Sequence, residues 1–169
     1  MSTTINADAP AADLIAAYAA GPALVREAIA GMTPEQLQAR PIEGKMSSQE
    51  VVCHIVDSDQ FIADRMKRTI ATERPLLIGV ESVDYLAPLH YSERDIALDL
   101  RLLELTREQL TADVRRVAPD ALTRTAIHSE VGLVTVRDQL LHAIGHIDSH
   151  LAAIDEKRAA LGLSPRSLI

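Results

Sequence analysis

The chain of 169 residues has no tryptophan, one phenylalanine and three tyrosines, so aromatic residues make up only 2% of it. A core built without large rings has to come from Ala, Leu, Ile and Val, a palette that suits helices packed side by side. Cysteine is almost missing as well. Cys53 stands alone, which excludes an intramolecular disulfide and fits a reducing cytoplasm. Positive charge is scarce, with 17 Lys and Arg against 24 Asp and Glu and a formal charge of -7. Phosphate neutralisation needs a basic footprint, so the acidic balance argues against a general nucleic-acid binder, though not against a local basic patch. No stretch approaches the roughly 18 uninterrupted apolar residues of a membrane span. The opening MSTTINADAPAADL lacks the basic start and apolar run of a signal peptide. Together these absences predict one cytoplasmic domain over residues 1–169, with 1–10 and 163–169 as flexible ends.

Hydrophobic residues nonetheless make up 47% of the chain, and they fall into four long helical segments separated by breaker clusters. The first runs from about Ala11 to Ala30, with an interruption or kink expected at Gly21-Pro22. TPEQL at 33–37 reads as a short helix, Thr33 capping it and Pro34 in its first turn. SSQE at 47–50 has the spacing of a capping box and opens a second long helix to about Thr72. Ser92, with Asp95 three residues on, starts a third that reaches about Val117. Thr135 and Asp138 cap a fourth, which ends near Leu161 before Gly162 and Pro165. Residues 74–91 and 119–134 remain as two longer connections. With little strand signal, the expected fold is all-α, a four-helix bundle with those two connections.

Three of the six histidines fall in LLHAIGHIDSH, at 142, 146 and 150. Setting Leu140 at zero and advancing roughly 100° per residue places Val136, Ile144, Ile147, Leu151 and Ile154 within about 40° of it. His150 then lies at about 280°, His146 at about 240° and His142 at about 200°. Spacing alone does not choose between the pairs 142/146 and 146/150; orientation favours His146 and His150, which can present two imidazoles to one cation. On the second helix, with Val51 at zero, His54 falls at about 300° and Phe61 at about 280°, on the flank of the Ile55 and Ile62 stripe. Flank positions on adjacent helices share a groove. Three neutral imidazoles there would leave a coordination position open for water, as catalytic sites do. Asp57, just outside, could accept the second ring N–H of a ligand histidine or act as a base. Cys53, at about 200° and so away from the groove, reads as a small packing residue.

These residues resemble the DinB/YfiT-like metalloenzymes, four-helix bundles that hold a divalent metal through one histidine of the second helix and an HxxxH pair of the last. HIVDSDQFIADR followed by ERP resembles the H-x-x-D-S, Arg and E-x-P pattern of the YfiT-like branch, and HSEVG resembles the loop before its last helix. The likeness runs from about residue 11 to 155. It implies His54, His146 and His150 as ligands to a divalent transition metal, Zn²⁺ or Ni²⁺, with catalytic roles for Asp57 and Arg65 and with His128 near the site. Met46, where the family carries Trp, and Ser149, where it carries a second adjacent His, touch the pocket wall rather than the ligand set. The family's activities imply a hydrolase, or an S-transferase using a low-molecular-weight thiol as co-substrate, acting on a small molecule. The competing readings are a non-catalytic metal-binding module and a homodimeric interaction bundle, in which the Ala-rich AADLIAAYAA packs against a second copy.

Overall fold

The structure, a computed structural model, describes residues 6–164 and 166. Its frame is four long helices, α1 (Ala11–Ala28), α3 (Ser48–Ala71), α4 (Ile96–Val117) and α5 (Val136–Ala160), with a short α2 (Pro34–Gln38). Thr33, Ser47 and Thr135 each cap a helix in a full capping box, satisfying two terminal N–H groups apiece. At α4 the cap is Asp95, whose carboxylate accepts from the N–H groups of Ala97 and Leu98. Ser92, the expected start, belongs instead to a 3-10 turn over Tyr91–Glu93.

Around the bundle, α1 packs on α4 and α5, and α3 packs on α4 and α5. The circular order is therefore α1, α4, α3, α5. Consecutive helices α1 and α3 are diagonal, as are α4 and α5, so the links between them must cross an end of the bundle. Two apolar clusters fill the interior. One includes Leu14, Met66, Leu110 and Leu140, the other Val25, Ile55, Leu103 and Leu151.

A buried ion pair joins the helices. Arg107 of α4, 1% exposed, donates from Nε and Nη2 to Asp59 Oδ1 of α3 at 2.9 and 2.6 Å. It also donates to the carbonyls of Ala143 on α5 and Tyr18 on α1, at 3.1 and 2.8 Å. This explains why Gly21-Pro22 does not break α1. Proline has no N–H for the carbonyl four residues back, and that carbonyl, on Tyr18, is the one Arg107 occupies. Gly21 makes room, since a Cβ there would run into Arg107 Nη1.

The connections contain a sheet that the sequence reading lacks. β1 (Leu76–Leu77) pairs in parallel with β2 (Thr125–His128), which pairs antiparallel with β3 (Gly132–Thr135), Leu76 beside Ile127 and Ile127 beside Leu133. HSEVG is the hairpin turn, and Gly132 takes the positive φ of 78° that the turn requires. The sheet ties both connections to one end of the bundle, over the histidines' side of α3 and α5. Of the expected flexible ends, residues 1–5, 165 and 167–169 lie outside the described residues. The carbonyls of Ala7 and Ala9 accept from Arg137, and that of Ser164 from Arg158. Among the described residues no helix is long and apolar enough to cross a membrane.

Candidate metal centre

His54 on α3 meets His146 and His150 on α5 where the two helices pack. His146 Nε2 lies 3.3 Å from His54 Nε2 and 3.1 Å from His150 Nε2. One ring nitrogen from each residue falls within 4.8 Å of the other two. Four-residue spacing stacks His146 and His150 on one helical face, and the capped start of α3 sets the height of His54 opposite them.

Electrostatics keep the rings uncharged. Burial, followed by repulsion from the other imidazoles, brings His146 down from 6.5 to about 3. Burial, then His54 and Lys157, brings His150 down to about 4. Burial also lowers His54, against the pull of Asp57 and Glu81. Neutral imidazoles with converging Nε2 atoms are the donor set a borderline divalent cation takes. The spacing fits too: a tetrahedral ion about 2.0–2.1 Å from each nitrogen holds them about 3.3–3.4 Å apart.

The second nitrogen of His54 has a partner that the sequence reading did not identify. His54 Nδ1 lies 3.1 Å from Ser82 Oγ, which lies 2.5 Å from Ser58 Oγ. Ser58 follows Asp57 in the DS pair, but Ser82 sits in the 72–95 connection, where no periodicity marks it. Asp57, expected to serve a ligand histidine, is turned elsewhere: its Oδ2 accepts from Tyr91 Oη at 2.6 Å and from Arg94 Nη1 at 2.8 Å. Tyr91 is fully buried and its hydroxyl also donates to the Ser82 carbonyl at 3.3 Å. Asp57 thus anchors, through Tyr91, the loop that carries Ser82. A buried aromatic in a chain with so few was the one available signal for that anchor.

Two cavities share a wall beside the histidines. One of about 220 Å³ is bounded by His54, Ser58, Phe61 and His146, the other of about 380 Å³ by Leu77, His128, Glu130 and Val134. Ile62, Arg65, Val80, Glu81 and His142 line both. Arg65 is fixed there by donating to the Ile78 carbonyl at 2.6 Å. His142 stands apart from the cluster of three, its ring centroid 6.0 Å from that of His146. His128 accepts from the Glu130 N–H through Nδ1. Cys53 is buried against the Tyr91 carbonyl, and burial together with Asp99 pushes its thiol up, away from nucleophilic character.

A family model, that of the DinB superfamily, matches residues 17–154. A protein of Oceanobacillus iheyensis named "Putative metal-dependent hydrolase" is 25% identical over 133 residues, 79% of this chain and 77% of its own length. Among solved structures, YfiT from Bacillus subtilis superposes with a TM-score of 0.84 at 23% identity, over 90% of this chain and 88% of that one. It is described as "a probable metal-dependent hydrolase with an unusual four-helix bundle topology". At that identity the likeness concerns the fold alone.

Proposed function

This chain belongs to the DinB superfamily, and from that premise we propose that it is a metal-dependent hydrolase of a small molecule. His54, His146 and His150 hold one divalent transition metal, Zn²⁺ or Ni²⁺. The observation that carries this reading is the convergence of three uncharged imidazoles from two helices, two of them, His54 and His146, at the wall of a cavity. An ion held by these three residues would supply Lewis-acid chemistry for hydrolysis. The name of the Oceanobacillus relative supports the same class of reaction.

The protein's own residues do the rest. With Nε2 given to the ion, the His54 ring must carry its proton on Nδ1, so Ser82 Oγ, 3.1 Å away, would accept from it and be free to donate to Ser58 Oγ. Ile62 and Val80 shield the site from bulk water, while Arg65, standing where the cavities meet, orients a polar group of the substrate. Asp57 positions the loop through Tyr91 and Arg94. A second reading, S-transfer from a low-molecular-weight thiol, draws support from the paired cavities, which offer separate places for an electrophile and a thiol.

Elemental analysis of tag-free protein, purified without nickel resin and compared with His54→Ala and His150→Ala, tests the metal centre. The expected result is about one equivalent of metal per chain, lost in both variants. Metal-loaded protein should then cleave members of an ester and amide panel. Turnover only with thiol and electrophile present would select S-transfer, and a tightly held metal with no turnover would leave a structural ion.

A further inference from the structure

Beyond the wall that the two cavities share, the larger one changes character. The shared wall balances its charges, Arg65 against Glu81. Past it the cavity, about 380 Å³ in all, is lined by Glu130 and Asp138 and by no lysine or arginine. Neither carboxylate forms an ion pair among the described residues. His128 accepts the Glu130 N–H through Nδ1 and so adds no positive charge. Glu130 is held inward. Ser129 Oγ accepts from the Gly79 N–H at 2.8 Å, which ties the hairpin turn to the first connection. The Glu130 carboxylate then lies on Gly79, where a Cβ would collide with it.

A second feature of the same wall is independent of the acids. Gln139 of α5 is 8% exposed, and its Oε1 is buried without a hydrogen-bond partner. Its Nε2 donates to Thr69 Oγ1 at 3.0 Å and to the Thr135 carbonyl at 3.3 Å. A carbonyl only accepts, so the amide is not free to turn over and Oε1 stays an unused acceptor beside the cavity. Such an acceptor is destabilising until a donor reaches it.

We propose that this end of the cavity seats a primary ammonium group of the substrate. An ammonium offers three N–H donors and no acceptor. Glu130, Asp138 and Gln139 answer with acceptors and with the net negative charge that a desolvated cation needs. A carboxylate or phosphate would meet two like charges there. Gln139 lies on the flank of α5 that carries His146, seven residues earlier, about 10 Å along the axis. An extended spacer of about six methylene groups covers that distance, and Ile62 and Val80, which line both cavities, suit its apolar length. Resting on the hydrolase reading, the substrate class is then a mono-acylated diamine. Water adds to its amide carbonyl, the C–N bond breaks, the acyl group leaves as a carboxylate and the freed amine takes up the proton.

Calorimetric titration of the full chain in chelator, where no metal-dependent turnover interferes, tests the seat with three probes of similar shape. These are the cation N-acetyl-1,6-diaminohexane, the neutral N-hexylacetamide and the anion 6-acetamidohexanoate. The cation should bind about tenfold or more tighter than the neutral probe, and the anion most weakly. Glu130→Gln, at an exposed position, should lower the cation's affinity about three- to tenfold and leave the neutral probe unchanged. No binding of the cation, equal binding of cation and neutral probe, tighter binding of the anion, or indifference of the cation to Glu130→Gln each overturns the seat. Metal-loaded protein should then hydrolyse the cationic probe in preference to the neutral one. A retained preference for the cation in binding, with no turnover, would count against the hydrolase reading and leave the ammonium seat standing.

Discussion

Ser82 shows how much of the site depends on a side chain with no sequence signature. Its hydroxyl is the partner of His54 Nδ1, and a partner at that nitrogen fixes which tautomer the ligand ring adopts. Ser82→Ala should reduce metal affinity by about ten- to a hundredfold, with little change in fold, because such partners commonly carry that much. Competition with a metallochromic chelator measures it. An unchanged dissociation constant would show that His54 is oriented by packing alone. The histidines, by contrast, were legible. Helical arithmetic put His146 and His150 on the flank facing α3, and they are the two that meet His54. Asp57 was legible as a position near the site but not as a contact, because a carboxylate there has several partners within reach and only the folded loop selects Tyr91 and Arg94.

At the scale of the helix, the pair Asp59–Arg107 is the feature most sensitive to change. Burial raises the Asp59 carboxyl against the pull of Arg107, so the guanidinium is what keeps a buried anion tolerable. Arg107→Met leaves Asp59 buried without its partner and should cost about 3–5 kcal/mol. Asp59→Leu alone should cost a similar amount. The double variant should cost far less than the two added together, since replacing a buried pair by apolar groups is often near neutral. Chemical denaturation of the four proteins of that cycle tests the point, and simple additivity would contradict it. Most helix ends were readable to within a residue or two because caps are local: Thr33, Ser47 and Thr135 each act on backbone three residues away, whereas the start of α4 lies past Ser92, with Asp95 as its cap. The interruption expected at Gly21-Pro22 does not occur, because its compensation comes from Arg107, far downstream on another helix.

For the whole molecule, a metal held by His54, His146 and His150 would staple α3 to α5. Metal at about a thousandfold above its dissociation constant should add about 4 kcal/mol, raising Tm by about 10 °C for a chain of this length. Scanning calorimetry with and without chelator measures the shift. Acid should act oppositely on the metal-free protein. His146 and His150 fall from 6.5 in the unfolded chain to about 3 and about 4 in the fold. The unfolded state therefore binds protons first, and the stability these rings contribute, complete above about pH 6.5, should be lost as the pH falls towards 4. A flat Tm across that window would show that the fold does not hold these rings below their ordinary value.

Sequence by itself determined what is periodic or local. Apolar spacing set the number and length of the long helices, caps set their ends, and four-residue steps put two histidines on one face. The helix order around the bundle, diagonal for α1 and α3 and for α4 and α5, was decided only in three dimensions, since any order buries the same stripes. So was the small sheet, whose strands are too short to show a period and form only when the connection holding Leu76 meets the one holding Ile127. The same holds for Ser82, Tyr91 and Arg107. Each acts through a contact distant along the chain, and distance along the chain is the part of the energy that a local pattern does not carry.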